Sequence, residues 1–189
     1  ENDFDGAVRT GNERVSVTLG FTSIKNVNGG PSALGAPTTP ERGTITIGMG
    51  SYPGIRYLGT DPLGHTSDRV IFLNNTGSNP VINGRVEASG VGPLTLTSSP
   101  TGGRPLILGG IGEGRWNANI GAGTTGISSL TKDESGLWVL GGVNSFPGTT
   151  AVNRGTLRGT GPGGSPFGTG ALTMANSALE LAPTGSGSD

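Results

Sequence analysis

The feature that most constrains this chain is a train of short runs that alternate apolar and polar residues and are separated by turn-forming clusters. Val15-Ser16-Val17-Thr18-Leu19, Thr44-Ile45-Thr46-Ile47, Ile55-Arg56-Tyr57-Leu58, Leu94-Thr95-Leu96-Thr97 and Leu137-Trp138-Val139-Leu140 are examples. A period of two marks half-buried strands. The centres of most runs lie about 10–14 residues apart, close to the spacing of roughly 8–12 that signals an all-β fold. Between them stand Asn28-Gly29-Gly30-Pro31, Ser98-Ser99-Pro100-Thr101-Gly102-Gly103 and Gly161-Pro162-Gly163-Gly164. Such clusters supply the left-handed and fixed-φ conformations that sharp corners need.

Composition narrows the class. Of 189 residues, 38 are Gly and 13 are Pro, and they interrupt every window long enough for a stable helix. Glycine does not recur at every third position, which excludes collagen. Net charge is only −1, and recurring β-formers argue against a charge-rich disordered chain. The 31% hydrophobic and 5% aromatic content suits a thin core shared by many short strands, as in a solenoid. The charge balance leaves no footprint for nucleic acid or an anionic membrane. No apolar run approaches the roughly 20 residues that span a bilayer, and no signal peptide is recognisable. The absence of cysteine removes any disulfide framework and suits export as an unfolded chain. The sequence reads as an internal segment of a longer protein.

A strand train with weak hairpin signals fits either a sandwich or a parallel β-helix. Internal repetition favours the second. Ser32-Ala33-Leu34-Gly35 followed by Gly43-Thr44-Ile45-Thr46-Ile47 is echoed by Ser165-Pro166-Phe167-Gly168 followed by Gly170-Ala171-Leu172-Thr173-Met174. The offset is too long for one coil and suggests a cycle of several coils. Residues 130–157, from Leu130-Thr131-Lys132 through Gly136-Leu137-Trp138-Val139-Leu140 and Gly142-Val143-Asn144-Ser145-Phe146-Pro147-Gly148 to Thr149-Thr150-Ala151-Val152-Asn153-Arg154-Gly155-Thr156-Leu157, closely resemble the passenger-associated transport repeat. That repeat is also called the autotransporter-associated β-strand repeat. The strong match extends over 130–181, and residues 29–58 look like the tail of a preceding copy. The resemblance implies a right-handed parallel β-helix, export across the outer membrane and display outside the cell or on its surface.

The expected architecture is therefore all-β: one right-handed parallel β-helix (β-solenoid) segment over 1–189. Within it, 1–28 is an entry segment that matches poorly, 29–129 forms solenoid rungs, 130–181 is the best-matching repeat and 182–189 is a flexible tail. Aliphatic residues such as Ile45, Leu96, Leu140 and Leu172 should stack inside, with Thr on the outer face. Asn144 and Asn153 are candidates for stacked turn ladders.

Few residues suggest chemistry. His65, with Asp61 or Asp68, is a lone His in loop-like sequence, read as solvated because a metal site needs more ligands. Residues 1–6, Glu-Asn-Asp-Phe-Asp-Gly, mimic the opening of a calcium loop, but the bidentate Glu expected at position 12 is displaced to Glu13. Asn74-Asn75-Thr76 is a formal glycosylation sequon. Glu87, Glu113, Asp133 and Glu180 would support glycan cleavage only if two converged across a gap of about 5–10 Å. Trp138 and Phe146 are read as core or corner residues. Tyr52, Tyr57 and Trp116 are candidates for a ring platform that contacts carbohydrate. No catalytic, metal or cofactor residues are assigned. The expected role is a non-enzymatic structural or adhesive stalk that associates end to end with neighbouring solenoid segments. The alternatives are a carbohydrate-binding module that contacts a surface polysaccharide, or a polysaccharide-degrading β-helix.

Overall fold

The computed structural model describes residues 8–10, 14–17, 32, 34–48, 53–74, 83–121, 126–162 and 165–182, with only the backbone for 8–10 and 14–17. Nearly all of its regular structure is strand. In chain order the elements are β1 (Val8–Thr10), β2 (Arg14–Val17), α1 (Pro40–Gly43), β3 (Ile45–Ile47), β4 (Gly54–Tyr57), β5 (His65–Ser67), β6 (Ile71–Leu73) and β7 (Gly84–Ala88). They continue with β8 (Leu94–Leu96), β9 (Leu106–Gly109), β10 (Glu113–Trp116), β11 (Leu130–Lys132), β12 (Leu137–Leu140), β13 (Thr150–Gly159) and β14 (Leu172–Leu181).

Every strand pairing is parallel. Short parallel strands cannot be joined by tight hairpins, so the chain travels around a coil before it pairs with itself. Three walls result. The first stacks β1, β3 and β6 and continues through a Phe72–Thr101 bridge. The second runs β2, β4, β7, β9, β11, then the first halves of β13 and β14. The third runs β5, β8, β10, β12, then the second halves of β13 and β14. Side-chain hydrogen bonds between later coils join residues 22 to 24 positions apart, the length expected of one coil. The molecule is a parallel β-solenoid.

Alternation explains the core. In β3, β6, β8 and β11 the outer residues of each three-residue strand are buried and the middle one is half-exposed. Inward side chains then stack in columns, such as Ile45 with Ile71, Ile47 with Leu73, and Leu106 with Leu130. Each buried aliphatic side chain contributes about 1.5–3 kcal/mol. Corners need close backbone approach. Gly110 has φ +101°, and a side chain there would run into the Ala88 backbone of the coil before it.

Several local expectations differ from what forms. The runs at 150–152 and 156–158 fuse into the ten-residue β13, and those at 171–174 and 178–181 into β14. In β13 the bend at Gly155 (φ +68°) replaces a full corner. Residues 117–120 and 127–129 form no strand, and residues 80–82 lie outside the described residues. Leu172 is not interior: it is 43% exposed, because no described coil covers β14. The one helix among the described residues is a single turn, with Thr39 capping the Arg42 amide and Pro40 at its start. Arg69 fastens that excursion to the coil, donating from Nε to the Gly43 carbonyl at 2.6 Å and from Nη1 to the Leu34 carbonyl at 2.7 Å.

Candidate functional site

Two of the three rings proposed for carbohydrate contact are buried. Tyr57 and Trp116 are both 0% exposed, and Tyr52 lies outside the described residues. Each occupies an inward position of its strand, which is where alternation sends it. Tyr57 donates to or accepts from Nδ1 of His65 at 2.7 Å, with the two rings edge to face. Burial, then the Asp61 charge, pushes the Tyr57 hydroxyl up to about 12. His65 therefore opens β5 and bonds an interior tyrosine, where the sequence suggested a solvated loop. Trp116 donates Nε1 to the Ser98 carbonyl at 2.9 Å and packs against Trp138, ring centroids 6.4 Å apart. Trp138 and Phe146 are buried, as expected of core and corner residues.

Of the candidate carboxylates, Glu87 and Asp133 meet on one arginine, and Glu113 and Glu180 each pair with another. Glu87, fully buried, is gripped by Arg56 on one oxygen and by Arg85 on the other at 2.5 Å. The Arg56 charge is held by that bond to Glu87, which raises its pKa. Burial opposes the Arg85 charge, but Glu87, Glu134 and Asp133 outweigh it and raise its pKa as well. Arg85 reaches on to Glu134 at 2.9 Å and Asp133 at 3.4 Å. Both acids sit in the β11–β12 corner, not on a strand, which lets them face one cation. Glu113 pairs with Arg115 at 2.6 Å, and Glu180 with Arg158 at 2.5 Å. Among the described residues, no group of three or more His, Cys, Asp or Glu is placed to hold a metal ion. The calcium-like segment at 1–6 and the hydroxyl residue of the Asn74 sequon lie outside the described residues.

Three further features stand out, the first two of them unforeseen. First, Lys132 is buried within the second wall, beside the corner that bears Asp133 and Glu134. Burial pushes its amine down to about 8, with Asp133 and Glu134 opposing the shift and Arg85 adding to it. The run Leu130-Thr131-Lys132 signals this, since alternation sends Leu130 and Lys132 to the same side. Second, Leu63, Val91 and Ile111 are 87%, 73% and 74% exposed. They stand at the second-to-third-wall corner on successive coils, tied by Val91 N–H to the Gly59 carbonyl (2.8 Å) and Gly112 N–H to the Ala88 carbonyl (2.9 Å). Third, Asn144 is buried and links three coils. Its Oδ1 accepts from the Ile120 amide at 2.8 Å, and its Nδ2 donates to the Pro166 carbonyl at 2.5 Å. Asn153 is exposed.

Among the described residues, no helix is long and apolar enough to cross a membrane. No family model matches the chain, and no solved structure does. One curated relative, the adhesin BmaC autotransporter of Brucella suis biovar 1 (strain 1330), is 34% identical over 159 residues. The alignment covers 79% of this chain and 4% of the relative. A parallel β-solenoid of this sequence is thus similar, over most of its length, to a small part of an autotransporter adhesin.

Proposed function

We propose that this chain is a stretch of the surface-exposed passenger of an exported bacterial adhesin, serving as a stiff, non-catalytic β-solenoid spacer. The observation that carries the reading is the 34% identity to the autotransporter adhesin across 79% of the chain. The geometry is consistent with it. Residues 130–157, which carry the resemblance to the passenger-associated repeat, build one turn of the solenoid through β11 and β12 and enter the next through most of β13. On that resemblance the coil is right-handed. The carboxylates a glycan-cleaving β-helix would need are each tied to an arginine.

End-to-end association belongs to the same proposal. β14 pairs only with β13 among the described strands. Its columns end in Leu172, Met174 and Leu181, which are 43%, 49% and 68% exposed. An open strand edge above uncovered aliphatic residues favours a further parallel coil.

Antibodies raised against the chain test the localisation. They should label intact cells of the source bacterium, and brief external protease should abolish the signal. Labelling that requires permeabilised cells refutes the surface reading. Absence of binding on a glycan array supports the spacer, whereas saturable binding to one glycan class assigns the chain to carbohydrate recognition.

A further inference from the structure

One column of the second wall reads Ile55, Val86, Leu108, Lys132, Val152, Met174 in successive register partners. A lysine in this row is out of place by polarity, yet it is 0% exposed. Its Nζ donates to the Asp133 carbonyl at 2.8 Å and the Glu134 carbonyl at 2.7 Å, both in the corner of its own coil. The third bond, 3.1 Å, reaches the Arg154 carbonyl on the next coil. An ammonium has three donors and no acceptor, so the set is complete.

The surroundings are shaped to this arrangement. Among the described residues, Glu134 is the non-glycine one with positive φ, at 62°. Its carbonyl faces Lys132, while its carboxylate accepts from the Gly110 amide at 2.5 Å and pairs with Arg85. Gly155, at φ +68°, leaves the space that Nζ fills: a Cβ there would stand 2.8 Å from it.

Stacked aliphatic columns have a weakness that this residue answers. A slip of one residue is forbidden, since it turns the apolar face outward. A slip of two keeps every apolar side chain inside, and the neighbouring column Leu106, Leu130, Thr150, Leu172 offers almost the same surface. Hydrophobic burial alone therefore discriminates poorly between them. Lys132 discriminates well. A slip of two moves the Arg154 carbonyl by about 7 Å, at roughly 3.3 Å per residue, and leaves a buried ammonium short of an acceptor. We infer that Lys132 is the register-setting residue of the β11–β13 step, a buried charge within an aliphatic column that selects one stacking of coils from those the columns allow. Buried polar groups that fix register at a cost in stability are known from coiled coils.

The chain contains no cysteine, so cysteine pairs report register directly. Thr131 and Ala151 are register partners on the outer face. Partners about 4.8 Å apart can be bridged by a disulfide, whereas residues two positions out of register lie beyond about 7 Å and cannot. The pairs T131C/A151C (native) and T131C/N153C and T131C/T149C (slipped) are oxidised in the full chain with Lys132 intact, and again with Lys132→Leu and with Lys132→Met. With Lys132, the native pair alone should close. In both variants strand content by circular dichroism should persist, and at least one slipped pair should close with a yield at least fivefold above its yield in the lysine protein. Variants that keep their strand content and close only the native pair overturn the inference, because the columns and turns then fix register unaided. Loss of strand content in both variants overturns it too, because Lys132 is then needed for stability and not for choice of register.

Discussion

The third wall contains a column in which size varies sharply: Leu94, Gly114, Trp138, Leu157, Leu179. The indole of Trp138 lies over Gly114, where a Cβ would press on three of its ring atoms. The ring cannot swing away freely, since Nε1 donates to the Gly109 carbonyl at 2.8 Å and its other side meets Trp116. Gly114→Ala adds one methyl to a full site. Overpacking costs about 1–3 kcal/mol, reduced by the roughly 0.5–1 kcal/mol that alanine gains over glycine in the unfolded chain. Trp138→Leu removes most of the ring and leaves the Gly109 carbonyl unpaired, for about 3–5 kcal/mol. Once the ring is gone the extra methyl fills part of the void. The double variant should therefore be more stable than the sum of the single losses by at least about 1 kcal/mol, within the usual coupling range of roughly 0.5–3. Urea melts followed by far-ultraviolet circular dichroism measure all four proteins. Additivity within about 0.5 kcal/mol would refute the idea that glycine and tryptophan are matched across coils.

Three further outcomes follow from the same geometry. Glu87→Gln leaves two partly buried arginines without their shared carboxylate and should cost about 2–4 kcal/mol, whereas Glu180→Gln breaks an exposed pair and should cost under about 1 kcal/mol; equal losses in urea melts would contradict the assigned burial. Asn144→Ala strands the Ile120 amide and the Pro166 carbonyl and should cost about 1–3 kcal/mol, while Asn153→Ala should change stability by less than about 0.5 kcal/mol. Alkaline pH should act in two opposite steps. The folded chain releases the Lys132 proton at about 8 and the unfolded chain near 10.5, so the unfolded state binds more protons between these values and stability rises with pH. Above 10 the unfolded chain ionises Tyr57 while the folded one holds its proton to about 12, so stability then falls. A melting temperature that declines steadily from pH 7, or a rise that survives in Lys132→Met, would disprove the first step.

Most of the solenoid was legible because it is written in the period of two. Ile45-Thr46-Ile47 and Leu94-Thr95-Leu96 point their side chains as alternation requires. Frequent glycine excluded helices of any length, and the near-copy at Ser32 and Ser165 argued for stacking. Corners were less legible, because whether a coil bends fully depends on neighbours above and below. Nothing local to Asn153-Arg154-Gly155 says that two strands will run through it as one. The burial of two candidate rings was illegible for a related reason. Aromatic side chains such as Tyr57 and Trp116 look equally suited to a sugar or a core until the position of their strand in the coil is known. The arginine–carboxylate clusters join residues as far apart as Arg85 and Asp133, 48 positions, a separation set only by the length of the coils between them. Lys132 was the one interior charge within reach, given that Thr131 faces outward.

Because the backbone ladders join each coil to the coils before and after it, those bonds lie along the solenoid axis. A pull between the two ends loads the last coil first and leaves the others intact. Releasing one coil of about 22 residues gives up a rise of about 4.8 Å and frees roughly 70–80 Å of extended chain. A rod built this way resists bending while it is whole. Under sustained tension it becomes a tether that unspools one turn at a time, lengthening some fifteenfold per turn before the force reaches whatever lies beyond it.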